Sequence, residues 1–360
     1  MSPLRDRVKA FINCPLTDTG EDALKAFLTL PTVENWNPEN ILGREVNFIF
    51  DFGLLFSIIG NNPSVHKLRN KVGNYISGKP TLNDSDISEL HACALLNIWE
   101  ISPTFIKTNN NKTPDIECHN PDGSILDIEV VRADKRHNHT ELLKNQLKFT
   151  ETLLPGDVAW NIACFMADAS NTQELNDAFD AAVALESGES VEMAERWKVI
   201  AVPDQQLPDF LAEVRTLRPL WWPKDCPSYN ASSTRFGGSP KKSSHIFLES
   251  QVPVVEYIGP IRRKAENPQN RSEHPFLIAM DSMELPRTHD RIQPELEKFF
   301  PLWNHVSGVL IFEPRFWFGW WSKEYHWSIH PNPHANIPLP NNLTKNVNGA
   351  QKVSLELSIK

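Results

Sequence analysis

Residues Ile125 to Val131 read Ile-Leu-Asp-Ile-Glu-Val-Val, a run in which Leu126, Ile128 and Val130 alternate with Asp127, Glu129 and Val131. Successive side chains of a strand point to opposite faces, so this pattern predicts a β-strand with one apolar face and one face that carries two acids. The turn signal Asn120-Pro121-Asp122-Gly123 just before it makes the run the second arm of a hairpin. The first arm is Thr113-Pro114-Asp115-Ile116-Glu117-Cys118, entered from an Asn-rich turn at Asn109, Asn110 and Asn111. A short strand from Thr104 to Lys107 precedes that turn. Upstream of it, Asp86-Ile87-Ser88-Glu89 has the spacing of a capping box, and Leu90, Ala94, Leu95 and Ile98 fall on one face of the helix it would open.

Strands and helices continue to alternate downstream. Strands are expected at Val158 to Met166, Lys198 to Val202, Phe276 to Met280 and Val306 to Phe312. Helices are expected through Leu142, Leu143, Leu147 and Phe149, from Gln173 to Ala184, and from Pro294 to Phe300. This order implies an α/β fold with a mixed central sheet between helices. The sequence divides into an N-terminal helical region over 1–82, an α/β domain over 83–340 and a C-terminal tail over 341–360. A stretch rich in Pro, Gly, Ser and Trp, about 218–245, reads as a loop-rich insertion.

Composition narrows the function classes. Hydrophobic residues at 40% and charged residues at 22% are ordinary for a globular protein. The apolar stretch from Phe48 to Ile59 is broken by Asp51, Gly53 and Ser57 and is too short to span a membrane. Five scattered cysteines without a CxxC pair argue against a disulfide framework or a zinc ribbon and fit a reducing, cytoplasmic setting. The formal net charge of -9 excludes a protein that coats nucleic acid by bulk charge, so any nucleic-acid contact needs a local basic strip. No Walker loop, GxGxxG fingerprint, GxSxG elbow or HExxH motif is present. His326, His330 and His334 are evenly spaced, but Pro331 and Pro333 prevent one helix from running through them. The aromatic cluster of Phe316, Trp317, Phe318, Trp320, Trp321 and Trp327 reads as core or interface rather than as a base-stacking platform. Arg262, Arg263 and Lys264 read as an exposed basic run.

Four acids remain as site candidates, each with a plain structural alternative. Glu89 could be only the partner of a capping box, and Asp115 only a turn starter after Pro114. Asp127 and Glu129 could be the solvated face of a hairpin.

Taken together, a helix with Glu89, a strand, Pro114-Asp115, a hairpin and Asp127-Ile128-Glu129 resemble the PD-(D/E)XK, restriction endonuclease-like nuclease superfamily over Ser88 to Arg132. That resemblance implies a divalent-metal-dependent nuclease that hydrolyses phosphodiester bonds in DNA, an endonuclease of phage defence or repair, working as a monomer or homodimer. It implies Mg²⁺ or Mn²⁺ held by Asp115, Asp127, Glu129 and the backbone carbonyl of Val130. Glu89 and Gln146 would act near the metal. Such a cation takes oxygen ligands, which is why carboxylates from neighbouring elements must converge. The family's lysine, two residues beyond the second acid, is Val131 here. Glu129 of Asp127-Ile128-Glu129 could take its place, Lys135, Lys144 or Lys148 could supply the cation, or the chain could be an inactive member that binds nucleic acid or a partner protein. Arg132, Lys135, Arg136, His137, His139, Lys144 and Lys148 form the basic strip on which a phosphate backbone would lie.

Overall fold

Asn83, rather than Asp86, opens the helix that carries Glu89. Its side chain accepts the Asp86 backbone N–H at 2.8 Å, and the Asp86 carboxylate accepts the Asn83 N–H at 3.1 Å, a reciprocal capping box. The helix therefore starts one turn earlier than the spacing from Asp86 to Glu89 suggests. The computed structural model describes residues 3–36, 43–60, 62–106, 114–120, 122–133, 144, 161–168, 171–202, 207–222, 228–236, 243–251, 254–266, 273–282, 289–317, 322–344 and 351–358. The chain divides into two compact units: Met1–Ala133 with Tyr257–Glu284 and Thr288–Lys360, and Asp134–Glu256 with Leu285–Arg287.

The first unit opens with helices α1 (Pro3–Ile12), α2 (Asp18–Leu28), α3 (Gly43–Ile59), α4 (His66–Ile76) and α5 (Asp84–Ile98). Strands β1 (Ser102–Phe105), β2 (Ile116–His119) and β3 (Ile125–Arg132) follow as an antiparallel meander. The β2–β3 turn closes through the Gly123 N–H to the Asn120 carbonyl at 2.9 Å, with Gly123 at a φ of 82° that suits glycine. Later in the chain come β9 (Phe276–Asp281), β10 (Gly308–Trp317), β11 (Ser322–Pro331) and β12 (Gln351–Glu356). The sheet order is β1-β2-β3-β9-β10-β11-β12. Strands β3, β9 and β10 run parallel, and the two margins are antiparallel. It is a mixed sheet flanked by helices.

Alternation decides which face each residue serves. Leu126, Ile128, Val130, Leu277, Ala279, Leu310 and Phe312 share one core with α1 to α5. At Gly53, a Cβ would come within 2.2 Å of the Ala23 carbonyl oxygen, so glycine is what lets α3 lie close against α2. The opposite face meets α8 (Val254–Glu266) and α9 (His289–Phe299), through Lys264 against Glu129 and Gln293 against His330.

The second unit has a sheet of order β5-β6-β4-β8-β7, from β4 (Asn161–Met166), β5 (Ser190–Met193), β6 (Trp197–Ala201), β7 (Ser228–Phe236) and β8 (Ser243–Gln251). Helices α6 (Thr172–Ala184) and α7 (Leu207–Thr216) belong to it. Its core joins Phe165, Phe210, Trp222 and Phe247, and Arg218 grips the buried Glu249 through two hydrogen bonds of 3.1 and 2.5 Å. Strand β7 corrects the expectation of a loop over 218–245. The segment Ser-Tyr-Asn-Ala-Ser-Ser-Thr-Arg-Phe lacks apolar alternation, and its pairing with β8 makes it a strand. Among the described residues no helix is long and apolar enough to cross a membrane.

A buried charge pair lies under the sheet of the first unit. Lys323, 3% exposed in its side chain, reaches Asp51 of α3 at 2.5 Å. Burial pushes the Asp51 carboxyl up, but the charge and hydrogen bond of Lys323 hold it below its ordinary range. Removing one member of such a pair leaves a stranded charge. Lys323→Ala is expected to cost about 3 kcal/mol in the urea transition of this unit. The double variant Lys323→Met with Asp51→Leu should recover most of that loss, and strict additivity of the two changes would refute the pairing.

Candidate active site

Helix α5 is bound to the sheet by a polar stripe at positions 84, 88 and 91, one face of a helix with 3.6 residues per turn. Asp84 pairs with Arg132 of β3 at 3.1 Å. Ser88 donates to the Asp281 carboxylate of β9 at 2.6 Å, both residues being buried. His91 Nδ1 meets the Tyr325 hydroxyl of β11 at 3.1 Å. Burial first, then the nearby Lys323 charge, pushes the His91 pKa down to about 3, so the ring is neutral at working pH. Asp86 adds an ion pair of 2.5 Å to Lys71 of α4. Glu89 thus sits on a helix whose register is fixed by directed bonds. Because Asn83 and Asp86 form the cap, Glu89 has no capping duty; its carboxylate accepts the Ser85 hydroxyl at 3.2 Å.

Asp115 lies one residue before β2, whose first pair is Ile116 with Ile128. There the Asp115 Oδ2 accepts the Val130 backbone N–H at 2.8 Å, so a side chain extends the ladder. Glu129 is fully buried on the α8 face of β3, and Lys264 Nζ stands 3.0 Å from its Oε2. Lys264 is 27% exposed in its side chain, which corrects the expectation of a wholly exposed run at Arg262 to Lys264. Its neighbours Arg262 and Arg263 are exposed.

A cavity of about 470 Å³ opens here, lined by Ser85, Asp115, the end of β3 from Val130 to Arg132, and Pro260, Arg263 and Lys264 of α8. Val131 and Lys264 therefore face the same space. Burial pushes the Glu89 pKa up to about 7, and the neighbouring Asp115 charge adds to the rise. Burial also raises the Glu129 pKa, with Lys264 working against it and Asp115 with it. Asp115 thus acts electrostatically on both glutamates, which places the three acids in one neighbourhood.

Asp127 is buried on the same face as Glu129, opposite Glu117, and does not line the cavity. Lys144 is helical, exposed and part of the second unit. Lys135, Arg136, His137, His139, Gln146 and Lys148 lie outside the described residues. Trp327 is core, edge-on to Trp99 at 5.5 Å. Among the described residues no three His, Cys, Asp or Glu side chains gather into a ready metal cage. Among the described lining residues Asp115 supplies the carboxylate, with Glu89 and Glu129 as its electrostatic neighbours, and oxygen donors of this kind suit a hard divalent cation. Burial raises both glutamates first, and the added repulsion from Asp115 is what such a cation would relieve.

No family model, no curated protein and no solved structure matches the chain.

Glu89 gives this neighbourhood a pH signature. Its folded pKa of about 7 lies above the unfolded value near 4.5, so the folded state holds the proton more tightly. Its contribution to stability is full below about pH 4.5 and is lost as the pH rises through 7. In metal-free protein with EDTA, Glu89→Gln should gain roughly 2 kcal/mol over wild type between pH 5 and pH 8, read from urea midpoints at both pH values. Parallel pH profiles for the two proteins would overturn the assignment.

Proposed function

We propose that this chain is a divalent-metal-dependent nuclease that hydrolyses phosphodiester bonds in DNA, with Lys264 supplying the cation that the nuclease pattern places at position 131. The observation that carries the reading is the contact of Lys264 with Glu129 at 3.0 Å, at the cavity that Val131 also lines. The order of elements in the first unit supports it. Helix α5 with Glu89, β1, Pro114-Asp115 before β2 and β3 with Glu129 keep the order on which the resemblance rests, and β9 lies parallel beside β3.

Asp115 and Glu129 would hold the metal, which when bound supplies charge to the phosphoryl oxygens and lowers the pKa of a water. Lys264 carries three N–H donors on a rotatable ammonium. It opposes the rise that burial imposes on the Glu129 pKa and can turn a donor toward a phosphate oxygen in the cavity. Glu89 titrates near neutrality and can hold or release a proton on its carboxylate beside Asp115. A second reading, an inactive nuclease-fold module that binds nucleic acid or a partner, draws on one observation: Lys264 already neutralises Glu129, and no ready cage gathers around it.

The decisive assay is cleavage of supercoiled and linear DNA with Mg²⁺ or Mn²⁺. Wild type should cut, and Asp115→Ala, Glu129→Gln and Lys264→Ala should each lower the rate by about 100-fold or more. Val131→Lys in the Lys264→Ala background should restore at least about tenfold, because both positions line one cavity. Equal cutting by wild type and all three single variants would eliminate the assignment, and no cutting by wild type would favour the inactive module.

A further inference from the structure

We infer that Arg132 and Arg263 form a clamp for the phosphate that adjoins the one beside Lys264, so the cavity takes a polynucleotide chain rather than a mononucleotide or a phosphomonoester. The inference deepens the nuclease reading and rests on it. Three cations line the cavity and reach it from two walls, Arg132 from the end of β3 and Arg263 with Lys264 from α8. Their tasks differ. Lys264 is tethered to Glu129 at 3.0 Å and belongs to the acids. Arg132 lines the cavity at the end of β3 and pairs with Asp84 of α5 at 3.1 Å. A planar guanidinium with five N–H donors can keep one carboxylate and also grip a phosphate by two parallel hydrogen bonds.

Helix α8 shows that the placement is selective. Pro260, Arg263 and Lys264 share the face that lines the cavity, at spacings of three and four residues. Arg262, with the same charge, turns elsewhere: its Nε pairs with Glu266 at 2.6 Å and its guanidinium lies over the Phe299 ring at 5.7 Å. A cavity of about 470 Å³ also exceeds the needs of one phosphate group beside Lys264. In a chain of net charge -9, two arginines lining the cavity beside Asp115 provide the local positive charge that a phosphate backbone requires.

The test is fluorescence anisotropy on the full chain in EDTA, so that hydrolysis plays no part. A labelled 20-nucleotide single strand and its duplex serve as probes from 50 to 300 mM salt, with inorganic phosphate and a deoxymononucleotide as competitors. Arg132→Gln and Arg263→Gln should each weaken oligonucleotide binding roughly tenfold at low salt. Each should also reduce the slope of log K against log salt by about 0.7 for the single strand and about 0.9 for the duplex. Arg262→Gln should change neither, and competition by phosphate and mononucleotide should stay the same in all variants. Arg263 is exposed, so its variant tests the clamp without threatening the fold. Unchanged slopes in the Arg132→Gln, Arg263→Gln double variant would overturn the clamp. So would an equal loss in mononucleotide competition, which would show a single-phosphate site. Arginine-dependent binding by a protein that never cleaves would retain the clamp and sink the nuclease reading; cleavage with unchanged slopes would do the reverse.

Discussion

Taking a carboxylate out of water costs several kcal/mol even after the protein relaxes, and an attraction inside the fold must offset that cost. Glu129 meets this problem in full, because it is completely buried at the middle of a strand covered on both faces. An apolar residue is the expected occupant of such a position. Lys264 provides the offsetting charge, and much of the local arrangement follows from that need. Helix α8 must present position 264 to β3, which turns 260 and 263 toward the same cavity and sends Arg262 away to Glu266 and Phe299. The remaining desolvation shows in the raised pKa of Glu129, to which Asp115 also contributes.

On the other face, apolar packing alone would leave α5 free to slide, since hydrophobic contacts are not directional. The bonds from Asp84 to Arg132, Ser88 to Asp281 and His91 to Tyr325 each reach a different strand and fix the helix along its length. Each is a directed contact that weakens steeply when displaced. Glu89 is adjacent to Ser88, so the bond that pins Ser88 also sets how Glu89 approaches Asp115. The acids from α5, β2 and β3 are thus brought together by two unlike devices, a hydrogen-bonded stripe on one face and an ion pair on the other.

Features that depend on neighbouring residues were legible in the sequence. The alternation at 125–131 gave β3, and Gly123 after Asp122 gave the turn, because strand period and turn conformation are local properties. The start of α5 was ambiguous, since Asn83 with Asp86 and Asp86 with Glu89 have the same capping spacing, and only the hydrogen bonds choose between them. Helix α3 was hidden for another reason. Apolar residues surround most of its circumference, so no stripe shows, and Asp51 looks like an interruption until Lys323 is seen beside it. Strand β7 carries Ser, Asn and Thr in place of an alternating apolar pattern. Lys264 could not have been assigned to Glu129 by spacing, because Asp134–Glu256 of the second unit falls between them in the sequence.

That separation changes how the site comes into being. A lysine at 131 would share the strand with Glu129, and the two would lie on one face as soon as β3 formed. A lysine at 264 reaches Glu129 only when α8 docks, so completion of the charge pair depends on tertiary packing. The intervening segment of Asp134–Glu256 is long, yet the entropy of closing a loop rises by only about 0.6 kcal/mol for each doubling of its length. The segment also folds around its own core of Phe165, Phe210, Trp222 and Phe247, which further limits what closure must order. A hydrophobic pair in place of Glu129 and Lys264 would often be as stable or more so, since buried ion pairs rarely win on stability alone. Retaining a costly pair whose partners are so far apart in the chain makes sense if the position beside Asp115 must carry a carboxyl group that no apolar residue can replace. The lysine's placement on α8 then opposes the rise in that acid's pKa while leaving the end of β3 to shape the cavity.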